Sequence, residues 1–168
     1  MRKFSKINFC RICNSSKLYK YLSLGYQPLA NSFLKKNQIK FELKYPLELC
    51  FCKKCKLSQL SVVVNPKLIF SSYDYLSSSS KALKNHYKNL VSYLEKKNKL
   101  SINSTVLDVG CNDGILLTNY SKKISNIVGI EPSDAFKRIK DKRINIINSF
   151  FDKKAAKIYL RKFKKANI

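Results

Sequence analysis

The chain has 168 residues, of which 45% are hydrophobic, and a formal net charge of +24 at neutral pH. This length suffices for one real core, or for a small module and part of a larger domain. No run approaches the roughly 20 apolar residues of a membrane span, and the charged start Met1-Arg2-Lys3 leads into no apolar signal core. We therefore expect no membrane contact and a cytoplasmic location.

The positive charge would attract polyanions, because clustered lysine and arginine neutralise phosphates. Its distribution argues against a dedicated nucleic-acid site. Arginine, the preferred side chain for phosphates and base edges, occurs only at positions 2, 11, 138, 143 and 161, while lysine is spread over every segment. We expect no specific nucleic-acid partner, and we keep a basic nucleic-acid-binding module as an alternative.

Two Cys-x-x-Cys pairs, Cys10/Cys13 and Cys52/Cys55, are separated by 38 residues. Each pair can place two thiolates on one ion at about 2.3 Å, and two pairs complete the closed tetrahedron of structural zinc. A cytosolic location disfavours disulfides as the explanation. Strand alternation puts Cys50 on the same side as Cys52, so either could be the ligand. The prediction is structural Zn²⁺ on Cys10, Cys13, Cys52 and Cys55, with Cys50 as the alternative to Cys52.

Strand-forming residues predict a small β module over residues 1–66. Tyr45–Leu49 and Leu57–Val64 are short, rich in strand formers, and bounded by turn residues or a cysteine pair. Residues 67–100 should connect this module to the next domain. The serine run at 77–80 indicates a flexible linker on composition alone.

Apolar residues recur at near-helical intervals from Lys81 to Leu100, with lysines around them, and predict an amphipathic helix. His86, the only histidine of the chain, lies within it. We prefer a helix-face or capping role for His86 over a catalytic one.

A glycine turn then follows a short apolar run. Thr105–Val109 predicts a strand, Gly110 and Gly114 bound the turn, and Ile115–Tyr120 predicts a helix. The glycines would let the backbone turn sharply and approach a ligand, while the start of a helix would favour an anion. Cys111, inside the turn, is expected to be a packed thiol and not a nucleophile.

A second strand is predicted over Asn126–Ile130 and ends at Glu131. The acid lies about 20 residues beyond the first strand, which is the spacing at which a carboxylate reaches a ribose diol. Beyond it, Ser133–Lys140 predicts a helix, Ile144–Ile147 a third strand, and Asp152–Lys165 a basic helix.

These motifs occur together in a recognisable order. They are Cys10-x-x-Cys13, Gln27-Pro-Leu-Ala-Asn31, Tyr45-Pro-Leu, Cys52-x-x-Cys55, Phe70-x-x-Tyr-x-Tyr75, Asp108-Val-Gly-Cys-Asn-Asp-Gly114 and Gly129-Ile-Glu-Pro132. The order resembles that of the zinc-containing sugar C-methyltransferases, along essentially the whole chain. The resemblance implies an α/β fold: a small zinc-binding β module, followed over residues 101–168 by the first half of a class I (Rossmann-like) methyltransferase domain.

The same resemblance implies S-adenosylmethionine (SAM) as cofactor and a nucleotide-linked 4-keto deoxysugar as the substrate, methylated on carbon. It assigns cofactor binding to Asp108, Gly110, Asn112, Asp113, Gly114 and Glu131. The resemblance also makes Tyr75, and secondarily Tyr73, candidates for contacting the substrate or donating a hydroxyl hydrogen bond.

Only the first strands of such a domain are predicted here, and the family's catalytic histidine and glutamate match no residue of this chain. We therefore expect weak or no activity unless a second polypeptide completes the fold. A parallel strand of this sheet should have an unpaired edge, which is an aggregation hazard. A non-catalytic remnant that holds zinc without cofactor is the remaining alternative.

Overall fold

The computed structural model describes residues 3–71, 75–163 and 165–168. The chain is a mixed α/β protein with small sheets, divided into two compact units, Met1–Ser71 and Ser72–Ile168. None of the helices in the described ranges is both long and apolar enough to cross a bilayer. The three-part division expected from the sequence stays a prediction.

The first unit is built from short antiparallel strands. Its described elements are β1 (Phe4–Lys6), β2 (Leu18–Pro28), β3 (Lys44–Cys52), β4 (Ser58–Leu60), β5 (Val62–Val64) and the helix α1 (Pro66–Phe70). One sheet has the order β2-β3-β4, and a second pairs β1 with β5. Helix α1 begins after Asn65, whose side chain accepts a hydrogen bond from the Lys67 backbone, and has Pro66 in its first turn.

The predicted strand Leu57–Val64 is divided in two by Ser61. The Ser61 backbone N–H and hydroxyl donate to the backbone and the carboxylate of Glu48, at 3.0 and 2.9 Å. Its carbonyl accepts from Ile7 at 2.8 Å. The chain therefore leaves β3 at this residue and continues beside β1.

Strand β2 has no counterpart among the predicted strands. All but its first residue are exposed, and its register against β3 shifts between Lys20 and Leu22 and again between Ser23 and Tyr26. Leu22, Leu24 and Tyr26 alternate with small or polar residues, a strand signal that the sequence predictions missed, but all three side chains are exposed and no buried face forms.

The second unit contains a parallel sheet between helices. Its main elements are α2 (Lys81–Lys97), β6 (Thr105–Val109), β7 (Asn126–Ile130), β8 (Ile144–Ile147) and α3 (Lys153–Lys162). The strands are ordered β6-β7-β8, so the ends of β6 and β7 are adjacent. Ser80 caps α2 by accepting from the Leu83 backbone, and Asp152 caps α3 by accepting from the Ala155 backbone.

Apolar side chains cover both faces of this sheet, as expected of parallel strands. The larger cluster consists of Val91, Val106, Cys111, Leu117, Tyr120, Ile124, Ile127 and Ile144. The smaller one consists of Val128, Ile130, Ile147 and Tyr159. Successive residues of β7, Ile127 and Val128, contribute to opposite clusters, which fixes the central strand between them.

The predicted helix Ile115–Tyr120 is wrong. Only a short 3₁₀ turn forms there, over Leu117–Asn119. The Thr118 hydroxyl and the Asn119 side-chain amide both donate to the Ile115 carbonyl, at 3.1 and 2.6 Å, and the chain becomes extended at Tyr120. Side chains thus satisfy a carbonyl that a continuing helix would use.

The other predicted helices are shorter than expected. Ser133–Lys140 forms a 3₁₀ turn over Asp134–Arg138, after which Ile139 is extended and its side chain lies beside Gly114. The C-terminal helix ends at Lys162 instead of Lys165.

The edge of β6 is not wholly unpaired. The Asn167 backbone N–H donates to the Thr105 carbonyl at 2.8 Å, and the Leu107 N–H donates to the Ile168 carbonyl at 2.9 Å. The Asn167 side chain also accepts from the Thr105 N–H, at 2.8 Å. The last two residues therefore run beside β6 in the same direction and cover part of its edge.

The substitution Gly129→Ala should destabilise the second unit. A Cβ at this position would lie 2.5 Å from Cys111 Sγ and 2.9 Å from Ile146 Cδ1. Overpacking of this kind typically costs about 1–3 kcal/mol. Urea unfolding of the full chain should show a lower midpoint with an unchanged slope. Adding Cys111→Ala makes room for the methyl group, so the double variant should lose less than the two single losses added together; strict additivity would contradict the packing described here.

Candidate functional site

Four cysteine sulfurs converge in the first unit. Cys10 Sγ lies 3.5 Å from Cys55 Sγ, Cys13 Sγ lies 3.6 Å from Cys52 Sγ, and all four lie within 4.8 Å of one another. Four bonds of about 2.3 Å around one zinc ion place tetrahedral sulfurs roughly 3.8 Å apart. The donor set therefore fits a closed four-thiolate zinc site with little rearrangement.

The two cysteine pairs adopt the same local structure. The first cysteine of each pair accepts, through its carbonyl, a hydrogen bond from the residue four positions on, Asn14 at 3.0 Å and Lys56 at 2.8 Å. Its N–H donates to the residue five positions on, Ser15 at 2.9 Å and Leu57 at 2.8 Å. Asn14 and Lys56 both have left-handed φ values, 55° and 65°. Each turn thereby directs its two sulfurs toward the same point.

Backbone amides inside the turns stabilise the thiolate form of two cysteines, which is the form that binds a metal ion. The Cys13 N–H, with a smaller contribution from the Ile12 N–H, lowers the pKa of Cys10 to about 6. The Cys55 N–H in the same way lowers the pKa of Cys52 below its usual value. At Cys55 the Leu57 N–H lowers the pKa, but burial and the neighbouring thiols outweigh it and raise the pKa to about 12. A coordinated metal ion removes that proton, because a ligating thiol is deprotonated outright.

Cys50 is buried in β3 but lies outside the four-sulfur cluster, which contains Cys52. Of the two ligands that the sequence left open, the structure brings Cys52 to the other three sulfurs. Cys111 is also outside the cluster and is buried in the core of the second unit, where burial is the main cause that raises its pKa to about 12. A thiol with so high a pKa is a poor nucleophile at neutral pH.

The glycine turn of the second unit, residues 110–114, forms a tight elbow after β6. Gly110, Asn112 and Gly114 have φ values of 82°, 50° and 74°, and such values favour glycine and asparagine. The Gly110 N–H donates to the Ile130 carbonyl at 2.8 Å. The elbow is therefore folded against the end of β7.

Glu131 joins the elbow to β7. Its Oε2 accepts from the Asn112 backbone N–H at 2.8 Å, and its Oε1 accepts from the Ser133 backbone N–H and hydroxyl at 2.9 and 2.7 Å. The carboxylate is buried. Three of its roughly four acceptor positions are thus used within the protein. Ser133, which the sequence indicated only as a residue near a helix start, is a direct partner of this acid.

The side chains of Asn112 and Asp113 point to residues 75–80, which we call the strap. Asn112 Oδ1 accepts from the Ser77 N–H at 3.1 Å, and Asn112 Nδ2 donates to the Tyr75 carbonyl at 3.0 Å. Asp113 Oδ2 accepts from the Ser78 N–H at 3.0 Å. Ser77–Ser79 forms a 3₁₀ turn, so the flexible linker expected from the serine run is wrong for these residues.

Three further observations fit a polar, cation-bearing cofactor at this elbow. Asp113 Oδ1 is buried without a hydrogen-bond partner among the described residues. In the same part of the chain, no atom lies within 4 Å of the place where a Cβ of Gly110 would be. Burial, with a smaller contribution from the charge of Glu131, raises the pKa of Asp108 to about 6. A cationic ligand nearby would favour the ionised carboxylate of Asp108. The α-helix that was expected to add an anion-binding N-terminus beside the elbow does not form.

The aromatic and histidine candidates occupy different positions. Tyr75 is exposed, and its carbonyl is held by Asn112. Tyr73 lies outside the described residues. His86 lies on the exposed face of α2, with its ring beside that of Tyr87. The helix-face interpretation of His86 accords with this position.

Comparison with known proteins finds one family that matches the first unit and one relative that matches most of the chain. Residues 10–70 match a family described as a zinc binding domain, whose name associates it with methyltransferases. The chain is also similar to the C-methyltransferase NovU of Streptomyces niveus, with 27% identity over 128 residues. That similarity covers 76% of this chain and 30% of NovU, so the chain spans less than a third of its curated relative.

Zinc binding should depend on Cys13 and not on Cys50. The full chain as purified should contain about one zinc per molecule by metal analysis, and Cys13→Ser should lose it, because three thiolates remain where four are needed. Cys50→Ala, the matched control in the same strand as Cys52, should keep its zinc. Zinc lost from Cys50→Ala but kept by Cys52→Ser would contradict the observed ligand set.

Asp108 should make the second unit less stable as the pH rises from about 4 to 6. Its pKa is about 6 in the folded chain and 3.8 as an ordinary carboxyl, so the folded state binds the proton more tightly. Ionisation therefore costs stability as pH rises, by at most about 3 kcal/mol. Asp108→Asn, which cannot ionise, should gain unfolding free energy relative to wild type between pH 4 and pH 7 in urea titrations. A difference that stays constant with pH would rule out this account.

Proposed function

We propose, on the premise that the chain corresponds to the N-terminal part of the zinc-containing sugar C-methyltransferases, that its second unit binds SAM for methyl transfer to carbon. The observation that carries the proposal is the contact between the Asn112 N–H and Glu131 Oε2 at 2.8 Å. It brings the glycine elbow of β6 and the acid of β7 to one point, where the first half of a class I methyltransferase domain would bind an adenosine.

Each candidate residue would have a distinct part in binding. Glu131 keeps an acceptor position for a ribose hydroxyl, since three of roughly four are used. Among the residues that the structure describes, no atom lies within 4 Å of the place where a Cβ of Gly110 would be, which leaves room for close approach of a ligand. The ionised carboxylate of Asp108 and the Oδ1 of Asp113, which has no partner among the described residues, would face the positively charged part of the ligand.

The substrate we propose is a nucleotide-linked 4-keto deoxysugar. Its keto group acidifies the proton on the adjacent carbon, and removal of that proton by a base leaves an enolate carbon as the nucleophile. The cofactor supplies an electrophilic methyl group. In this chain, Tyr75 would contact the sugar or donate its hydroxyl. No residue of the chain is assigned as the base, which would come from the rest of a longer protein or from a second polypeptide.

The zinc site has a structural role in this proposal. All four ligands are protein thiolates, so no coordination position is left for water or substrate. The first unit would therefore be stabilised by the ion, and the chemistry would be confined to other residues.

Calorimetry with SAM should test the cofactor assignment. The full chain should bind SAM, and Glu131→Gln should weaken binding by about 10- to 100-fold, because a hydrogen bond to a charged group contributes roughly 1.5–3 kcal/mol. Glu42→Gln, a change at an exposed acid in the other unit, should leave the affinity unchanged. Urea unfolding of each variant separates lost binding from lost folding. A folded wild-type chain that holds zinc but binds no SAM would reject the proposal and favour a non-catalytic remnant.

A further inference from the structure

We propose that Asn112 and Asp113 are positioning residues that hold the strap, and with it Tyr75, against the glycine elbow. The inference rests on the proposed function, because it assigns to the elbow a second task besides holding the cofactor. It adds to the expectation that both residues take part in cofactor binding, because the amide of Asn112 and one oxygen of Asp113 are bound to the strap. Cofactor binding at the elbow and the position of Tyr75 would thus be coupled through these two side chains.

Each contact between the elbow and the strap joins one side-chain atom of the elbow to one backbone group of the strap. The amide of Asn112 binds the strap at two points, accepting from the Ser77 N–H and donating to the Tyr75 carbonyl. Asp113 Oδ2 accepts from the Ser78 N–H. At the other end of the strap, the Ser80 hydroxyl caps α2. The position of Tyr75 relative to the elbow is therefore set by three hydrogen bonds and by a rigid helix.

Burial argues that this arrangement has more than a packing role. Asn112 and Asp113 are 9% and 8% exposed. A buried carboxylate is costly unless its oxygens are satisfied, and within the described part of the chain Asp113 has one satisfied oxygen and one without a partner. The remaining oxygen is buried, so a donor can reach it only if the elbow moves when it is loaded, which gives the coupling a physical path.

The elbow geometry makes the coupling direct. Asn112 binds the strap with its side chain and Glu131 with its backbone N–H. Asp113 is the next residue, and Gly114 closes the turn with φ 74°. A shift of the elbow that accommodates a ligand at Glu131 would therefore move the groups that hold Ser77 and Ser78.

Hydrogen exchange of the full chain without cofactor tests the contacts. Asn112→Ala should increase exchange at the Ser77 amide by about 5- to 10-fold, and Asp113→Ala should increase it at Ser78 by at least as much, because the latter bond involves a charge. Asn112→Asp keeps the acceptor for Ser77 but places an acceptor oxygen, in place of the donor, against the Tyr75 carbonyl, so Ser77 should keep more protection than in Asn112→Ala. Asp113→Asn keeps an acceptor for Ser78 and should rescue it. Exchange that is unchanged, or raised equally across the whole unit, would overturn the inference.

A fluorescent reporter tests the coupling. The chain contains no tryptophan, so Tyr75→Trp introduces a single indole, which can be excited selectively over the remaining tyrosines. SAM should shift its emission and reduce acrylamide quenching. Ser77→Pro, which removes the N–H that donates to Asn112 at the first position of the 3₁₀ turn and leaves the elbow unchanged, should reduce both responses while calorimetry still detects bound SAM. Bound SAM with no response from the introduced indole in the otherwise wild-type background would refute the coupling. Absence of SAM binding in every variant would overturn the proposed function and the coupling together, whereas the exchange experiment judges the strap contacts independently of cofactor.

Discussion

The second unit depends on one buried carboxylate. Glu131 accepts hydrogen bonds from the elbow at Asn112 and from Ser133, on either side of the end of β7. Transfer of a charged group from water to the interior is unfavourable, and it is tolerated here because charge-assisted hydrogen bonds replace the lost hydration. Once Glu131 is held, the elbow has little freedom. Its side chains then have defined directions, and those directions place the strap.

The first unit has few buried side chains among its described residues and needs another source of stability. Three of these buried side chains are cysteines, Cys10, Cys50 and Cys52. Large apolar residues such as Tyr26, Phe33 and Phe41 are exposed. A module this small rarely buries enough apolar surface to be stable, and a structural metal is a common substitute for a core. The four-thiolate site is therefore the main internal constraint on this unit, which explains why two short turns are built so alike.

Several predictions failed for one physical reason. A local sequence pattern predicts secondary structure poorly where polar side chains form hydrogen bonds with backbone groups. Ile115–Tyr120 has helical apolar spacing, but Thr118 and Asn119 satisfy the Ile115 carbonyl and end the turn. The serine run, residues 77–80, has the composition of a linker, but Asn112 and Asp113 order its backbone. In each case the deciding partner is a polar side chain whose direction the sequence does not give.

The sequence by itself determined the parts whose chemistry is local. Two cysteine pairs predicted a four-sulfur site, three apolar runs predicted the strands β6, β7 and β8, and spacing alone placed an acid after the second of these strands. These features follow from residue type, periodicity and covalent spacing. Only the tertiary structure decided that Cys52 and not Cys50 joins the cluster, that Glu131 binds the elbow itself, and that Asn112 and Asp113 hold the strap. Those outcomes depend on where residues distant in sequence meet, because a polar side chain takes the partner that burial leaves within reach.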